Sequence, residues 1–360
     1  MKILLIGDIA FTGIISEQPN RNKERYEGLM PFLNSADLVF ANLEVPVRVD
    51  HTRNEYKNFI HYSLPGPTKD LLKLLNIGCV SLANNHVYDC KMPGLEATIN
   101  ILDELGIYHT GAGWLSKHVE PSIIYVDGIK IAFMAYVDKR TNPKTEHYSE
   151  LLINYFNLED VISNIINIKD KVDKIIISIH WGIDYSNFYT IDQQQSARKL
   201  IEAGADIVMG HHSHTIQPYE MIDNKFIFYS LGQLSFGDFL WNDKLRALRK
   251  KTKLGMIAMV SFFNSGISYK IIPTLEKKGN YLEISKLNIT KRLSLIRYLN
   301  EKKNLYKSID YAIRIKEIIY DRFYDYFFGY YRNIFIQLLC INNIKKVYFF
   351  IRDFKRYREV

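Results

Sequence analysis

A chain of 360 residues with 47% hydrophobic and 24% charged residues has enough length and apolar content for a large core, which excludes a disordered or fibrous protein. Its three cysteines, Cys79, Cys90 and Cys340, are too few and too scattered for a disulfide framework or a four-thiolate zinc site, and they suit a reducing compartment. A formal charge of +8 and a pI near 9.0 favour anionic partners, whether nucleic acid, phosphorylated intermediates or an anionic membrane, without choosing among them.

The opening segment, MKILLIGDIAFTG, has an apolar run too short for a signal peptide and reads as a buried strand over residues 2–6 followed by a tight turn at Gly7-Asp8. Further strands are predicted over 38–41 and 79–82. The helix between them, over 68–75, offers Leu71, Leu72, Leu74 and Leu75 as its apolar face. A second helix is predicted over 93–106, with Pro93 in its first turn and Gly106 at its end. Asp127-Gly128 predicts a hairpin between strands 123–126 and 129–135.

Residues 151–168 read as mostly helical, and 174–179 as a buried strand ending at His180. A helix over 192–203 leads to a short strand over 206–209 that ends at Gly210. A strand over 226–229 then presents Ser230-Leu231-Gly232-Gln233, and strands over 255–262 and 267–272 close a main α/β domain spanning 1–285. From about residue 290 the pattern changes to successive helices over 293–299, 305–319, 323–339 and 344–354, an appended helical unit over 290–360. No stretch is an uninterrupted membrane span, so the expected location is cytoplasmic, with peripheral attachment to the inner face of the plasma membrane left open.

Polar residues recur at the ends of these strands, where loop tips converge above a rigid sheet. Asp8 and Glu44 are suitable carboxylate ligands and Asn85 offers a carbonyl oxygen. His86, His180, His212 and His214 are candidate imidazoles. Hard oxygen donors mixed with imidazoles suit a pair of divalent ions bridged by a carboxylate, and hence metal-dependent hydrolysis or phosphoryl transfer.

The ordered set Gly7-Asp8-Ile9, Asn42-Leu43-Glu44, Ala83-Asn84-Asn85-His86 with Asp89, His180-Trp181-Gly182 with Asp184-Tyr185, Gly210-His211-His212-Ser213-His214 with Gln217-Pro218 and Glu220, and Tyr229-Ser230-Leu231-Gly232 resembles the bacterial capsule-synthesis proteins of the CapA, or poly-gamma-glutamate capsule, family, within the calcineurin-like metallophosphoesterases. The resemblance covers about residues 1–272 and says little of the tail. It implies a layered β-sandwich flanked by helices. It also implies two divalent ions, manganese, iron or zinc, held by Asp8, Glu44, Asn85, His180, His212 and His214, with Glu44 bridging. His86 then resembles the histidine that assists reaction at the phosphoryl group, and Asp89 its orienting partner.

The chain departs from the wider pattern in three places. Asp8 is followed by Ile9 and Ala10 with no histidine two residues on, Glu44 replaces the usual Gly-Asp pair, and Gln233 stands where the family carries asparagine. Trp181, Tyr185 and Gln233 are expected at the substrate, with Gln217 and Glu220 supporting the histidine loop. The basic run Lys244, Arg246, Arg249, Lys250, Lys251 and Lys253 suits either an acidic ligand or an exposed solvated segment.

The function expected is a metal-dependent hydrolase or phosphoesterase in capsule or envelope polymer synthesis, acting on a phosphate-containing glycan or lipid-linked intermediate beside capsule-synthesis partners. Two alternatives stand: amide-bond hydrolysis or transfer on an acidic peptide polymer, and a noncatalytic polymer-binding assembly component. Tail aromatics from Phe323 to Phe335, together with Arg322, Arg332, Lys345 and Lys346, suit an anionic membrane surface or simple helix packing. No nucleic-acid signature accompanies the basic residues, so no specific nucleic acid is expected.

Overall fold

The computed structural model describes residues 1–57, 60–241, 244–246, 250–263 and 266–301. The predicted helices over 305–319, 323–339 and 344–354, Cys340, and the tail aromatic and basic residues all lie outside the described residues. The compact unit that carries the site runs from Met1 to Arg297.

Two sheets form the centre of this unit. The first has strand order Leu282–Ile284, Gly266–Glu276, Leu254–Phe263, Lys2–Ala10, Leu38–Leu43, Ile77–Ser81 and Tyr108–Thr110, and Gln233–Phe236 pairs with the far end of Lys2–Ala10. The second has order Tyr219–Ile222, Lys225–Phe228, Ile207–His211, Lys174–His180, Ile129–Val137 and Ser122–Val126. Parallel pairing joins the central strands of both sheets, while the Ser122–Val126/Ile129–Val137 hairpin and the Leu254–Phe263 and Gly266–Glu276 strands are antiparallel.

Period-two alternation sorts the strand side chains into three apolar layers. Ile3, Leu5 and Phe40 of the first sheet meet Ile131, Phe133, Ile176 and Phe226 of the second in an inter-sheet core. Leu4, Ile6, Val39 and Val80 face outward against the helices Pro65–Leu74 and Lys91–Glu104. Met134, Ile175, Ile177 and Val208 face the helices Leu158–Ile168 and Ile191–Ala203 on the opposite side. The result is helices, sheet, sheet, helices: the layered α/β sandwich expected from the sequence.

Several local expectations change. The Gly7-Asp8 turn is absent, because the first strand continues to Ala10 through a bulge: three steps from Leu5 to Asp8 stand against two from Phe40 to Asn42. Residues 151–157 are not helical. Leu152–Ile153 pairs with Ala112–Gly113, and the helix begins only after Asn157, whose side chain accepts from the Glu159 and Asp160 N–H groups as an N-cap. Tyr219–Ile222, Gln233–Phe236 and Leu282–Ile284 are strands that the sequence reading did not resolve.

The basic run is neither one helix nor one loop. Lys244–Arg246 is a strand paired with Phe239–Trp241, and the Lys253 ammonium is tied to Asp238 at 2.9 Å and Glu276 at 2.7 Å. The helix Ile289–Glu301, which the sequence assigned to the tail, packs Ile289 and Leu293 into the inter-sheet core. Among the described residues no helix is long and apolar enough to cross a membrane.

Candidate metal centre

The bulge decides where Asp8 points. Leu4 and Ile6 share the outer apolar layer with Ile9 and Phe11, so side-chain parity reverses across Gly7-Asp8 and Asp8 joins the inter-sheet side. Gly7 permits this, since a Cβ there would lie 1.9 Å from the Gly232 carbonyl oxygen. The register then aligns Asp8 with Asn42 and Gln233, and His180 with His211, so the C-terminal ends of both sheets bring their polar residues to one place.

Asp8 is fully buried and well held. Its Oδ1 accepts from Asn42 Nδ2 at 2.9 Å and lies 2.9 Å from His211 Nδ1, while Oδ2 accepts from the His212 backbone N–H at 3.1 Å. Burial alone would raise its carboxyl; the His211 hydrogen bond and charge, then His214 and Asn42, bring it below the ordinary value. Glu44 is the opposite case. It has zero exposure, neither carboxylate oxygen has a hydrogen-bond partner among the described residues, and His214 Nε2 and His180 Nε2 stand off at 3.5 and 3.9 Å. Burial, then the charges of Asp8 and Asp184, push its carboxyl well above the carboxylate range.

Two half-sites share this glutamate. On one side, ligand atoms of Asp8, Glu44 and His214 all lie within 4.8 Å of one another. On the other, His180 Nε2 lies 2.9 Å from Asn85 Oδ1 and 3.1 Å from His212 Nδ1. Lone-pair donors converging so tightly, together with a buried carboxylate that has no partner of its own, fit a pair of divalent cations bridged by Glu44. The structure thus brings together all six residues named as ligands. Burial and the neighbouring imidazoles draw His180 well below the ordinary histidine value, which keeps it a neutral donor.

At the mouth, His86 has a side chain 17% exposed, and its Nδ1 lies 2.7 Å from Asp89 Oδ2. Asp89 also receives the Lys57 ammonium at 2.6 Å and the His61 backbone N–H at 2.7 Å. Burial draws His86 below the ordinary imidazole value and Asp89 offsets part of that. Asn84 fastens this turn by donating to the Leu43 carbonyl at 2.9 Å while accepting from the His86 N–H at 3.0 Å.

The three residues expected at the substrate are placed differently from one another. Tyr185 is half-buried with its ring stacked 5.7 Å from that of His214, on a backbone held at φ 60°. Gln233 is 4% exposed and in register with Asp8. Trp181 does not line a cleft. Its ring is 1% exposed in the outer core, edge-on to Phe156, with Nε1 donating 3.3 Å to the Tyr229 carbonyl oxygen across Gly210, where a Cβ would meet both groups.

The sequence reading gave no role to four residues that the structure places here: His211 against Asp8, Asp184 with Oδ1 3.6 Å from His212 Nε2, and Lys57 and His61 on Asp89. His211 was accessible to reasoning, as the last residue of a strand in register with His180. Lys57 and His61 lie in a loop with no periodicity to follow.

Fold and centre define a layered α/β protein with a buried Asp/Glu/His cluster that could hold a metal ion. Residues 2–238 match the family model described as bacterial capsule synthesis protein PGA_cap, and the chain belongs to that family. It is 29% identical over 246 residues to capsule biosynthesis protein CapA of Bacillus anthracis, covering 66% of this chain and 60% of that protein. It is also 29% identical over 213 residues to PGA biosynthesis protein CapA of Bacillus subtilis, covering 59% and 56%. A probable polyglutamine synthesis accessory protein of Mycobacterium tuberculosis is 27% identical over 221 residues, 58% of each chain. The chain therefore spans less than two thirds of the length of these relatives. Among solved structures, a 5'-nucleotidase precursor from Thermus thermophilus aligns with a TM-score of 0.46 at 13% identity, over 84% of this chain and 58% of that one.

Proposed function

We propose that the protein is a metal-dependent phosphoester hydrolase acting on a phosphate-containing glycan or lipid-linked intermediate in capsule or envelope polymer synthesis, beside other capsule-synthesis proteins. The observation that carries this reading is Glu44, a buried carboxylate with both oxygens unpartnered between two sets of lone-pair donors. The names of the relatives support the polymer setting.

Asp8, Glu44 and His214 would hold one ion, and Glu44, Asn85, His180 and His212 the other. Such a pair supplies charge neutralisation at the phosphoryl oxygens and activation of water. The remaining steps belong to the chain. Asn42 and His211 fix the Asp8 carboxylate, while Asp184 faces the outer nitrogen of His212, so that its Nδ1 is left to the ion. His86, with Nδ1 on Asp89, presents Nε2 to the leaving oxygen as a proton donor. Against its burial, His86 and then Lys57 hold the Asp89 carboxyl below the ordinary value, and the His86–Asp89 pair fixes the orientation of that imidazole.

The test is metal analysis of chain purified without chelator, beside a Glu44→Ala, His212→Ala double variant shown to be folded. About two equivalents in the wild type, lost in the variant together with turnover in a phosphoester screen, is the expected result. No specific metal after reconstitution would leave the polymer-binding reading in its place.

A further inference from the structure

His61 stands apart from the other imidazoles of the centre. His180, His211, His212 and His214 are buried, at most 8% exposed, whereas His61 is exposed. Its position is nonetheless fixed. Its backbone N–H donates 2.7 Å to Asp89 Oδ2, the oxygen that also faces His86 Nδ1, and the loop is pinned two residues on, where Ser63 exchanges backbone hydrogen bonds with Pro46 and Arg48. The His61 ring meets the His86 ring edge-on, with centroids 4.8 Å apart, and the Phe236 ring at 5.9 Å. Phe236 in turn packs edge-on against His214 at 5.2 Å. The four rings form a continuous border running from the proposed proton donor to a proposed ligand.

A phosphoryl group that is reached by His86 and neutralised beside His214 has to lie in front of that border. We infer that His61 is a further substrate-contacting residue, whose ring N–H donates to a nonbridging phosphoryl oxygen. The inference rests on the phosphoester reading above. Among the described residues the His61 ring has ring neighbours and no hydrogen-bond partner, so its N–H is available to a ligand that settles against the border. A wedge that only separates Phe236 from His86 is the competing role, and it would need the ring's shape without its N–H.

The experiment is titration of inorganic phosphate into the manganese-loaded full chain by calorimetry, for wild type, His61→Ala and His61→Gln, with manganese stoichiometry and thermal midpoint measured on each. The inference expects His61→Ala to weaken phosphate about tenfold at unchanged manganese stoichiometry and midpoint, and His61→Gln, which retains an N–H donor, to recover part of the loss. Unchanged phosphate affinity in His61→Ala overturns it while leaving the two-ion centre standing. Loss of manganese or a lowered midpoint without a specific loss of phosphate also overturns it, in favour of the wedge. A wild-type chain that takes up neither manganese nor iron nor zinc overturns the phosphoester reading and this inference with it.

Discussion

Glu44 and Glu276 are both buried glutamates whose carboxyl groups are raised above the ordinary value, and they are finished in opposite ways. Glu276, 4% exposed, accepts from the Lys253 ammonium and from Asn280 Nδ2, each at 2.7 Å, and Lys253 also reaches Asp238. Burial lifts Glu276 to about 7 against the pull of Lys253. Among the described residues Glu44 has no hydrogen-bond donor. A buried carboxylate completed by its own lysine is part of the scaffold; one left incomplete beside Asp8 and His214 is a place for something from outside.

Removing either carboxylate's counterpart breaks that contrast in opposite directions. Glu44→Gln should reduce phosphoester turnover to background and abolish the rise in thermal midpoint that manganese gives the wild type, a rise worth about 2.7 kcal/mol at a hundredfold excess over Kd. Yet metal-free Glu44→Gln should unfold at higher urea than the metal-free wild type at pH 8, because the variant no longer buries an uncompensated carboxylate. Equal urea midpoints would show that Glu44 finds its counter-charge within the chain.

Lys253→Met should cost about 3–5 kcal/mol in urea unfolding, since the buried Glu276 then loses the Lys253 ammonium, while bound manganese stays at the wild-type level. Loss of metal there would mean that the two acidic clusters are not independent. Asp184→Asn should weaken manganese binding by about tenfold in calorimetry by loosening the His212 ring, with unfolding little changed. Unaltered affinity would assign that exposed carboxylate to solvent.

A further effect concerns pH. Glu276 has a folded value of about 7 against an ordinary 4.5, so its stabilising contribution is full below 4.5 and is lost as pH rises through 7. The stability of the wild type relative to Glu276→Gln, both metal-loaded, should therefore fall across that window. A flat difference would place the glutamate's folded value back near 4.5.

Much of the site was legible because metal chemistry restricts residue type, and strand ends are where parallel sheets gather loops. Asp8, Glu44, Asn85, His180, His212 and His214 could be named before any coordinates. The Asp127-Gly128 hairpin was legible for a similar reason: both residues sit at positive φ, which few pairs adopt readily. What escaped was set by tertiary contact. Trp181 beside a ligand histidine reads as a cleft aromatic until the Tyr229 carbonyl claims its N–H. Lys253 reads as one more charge in a basic run until Asp238 and Glu276, distant from it in sequence, close around it. Residues 151–157 had helical composition, but Leu152–Ile153 found a strand partner at Ala112–Gly113.

The bulge before Asp8 makes the first strand two half-strands of opposite phase. Ile6 and Ile9 lie on the same face although they are three positions apart, an odd step that regular alternation would place on opposite faces. Without the extra residue a single register could satisfy only one half, sending either Asp8 into the helix-packed layer or Ile9 into the centre. The extra residue therefore acts as a ratchet tooth: the same irregularity that turns a carboxylate toward the proposed metal site locks the strand against its neighbours at one setting.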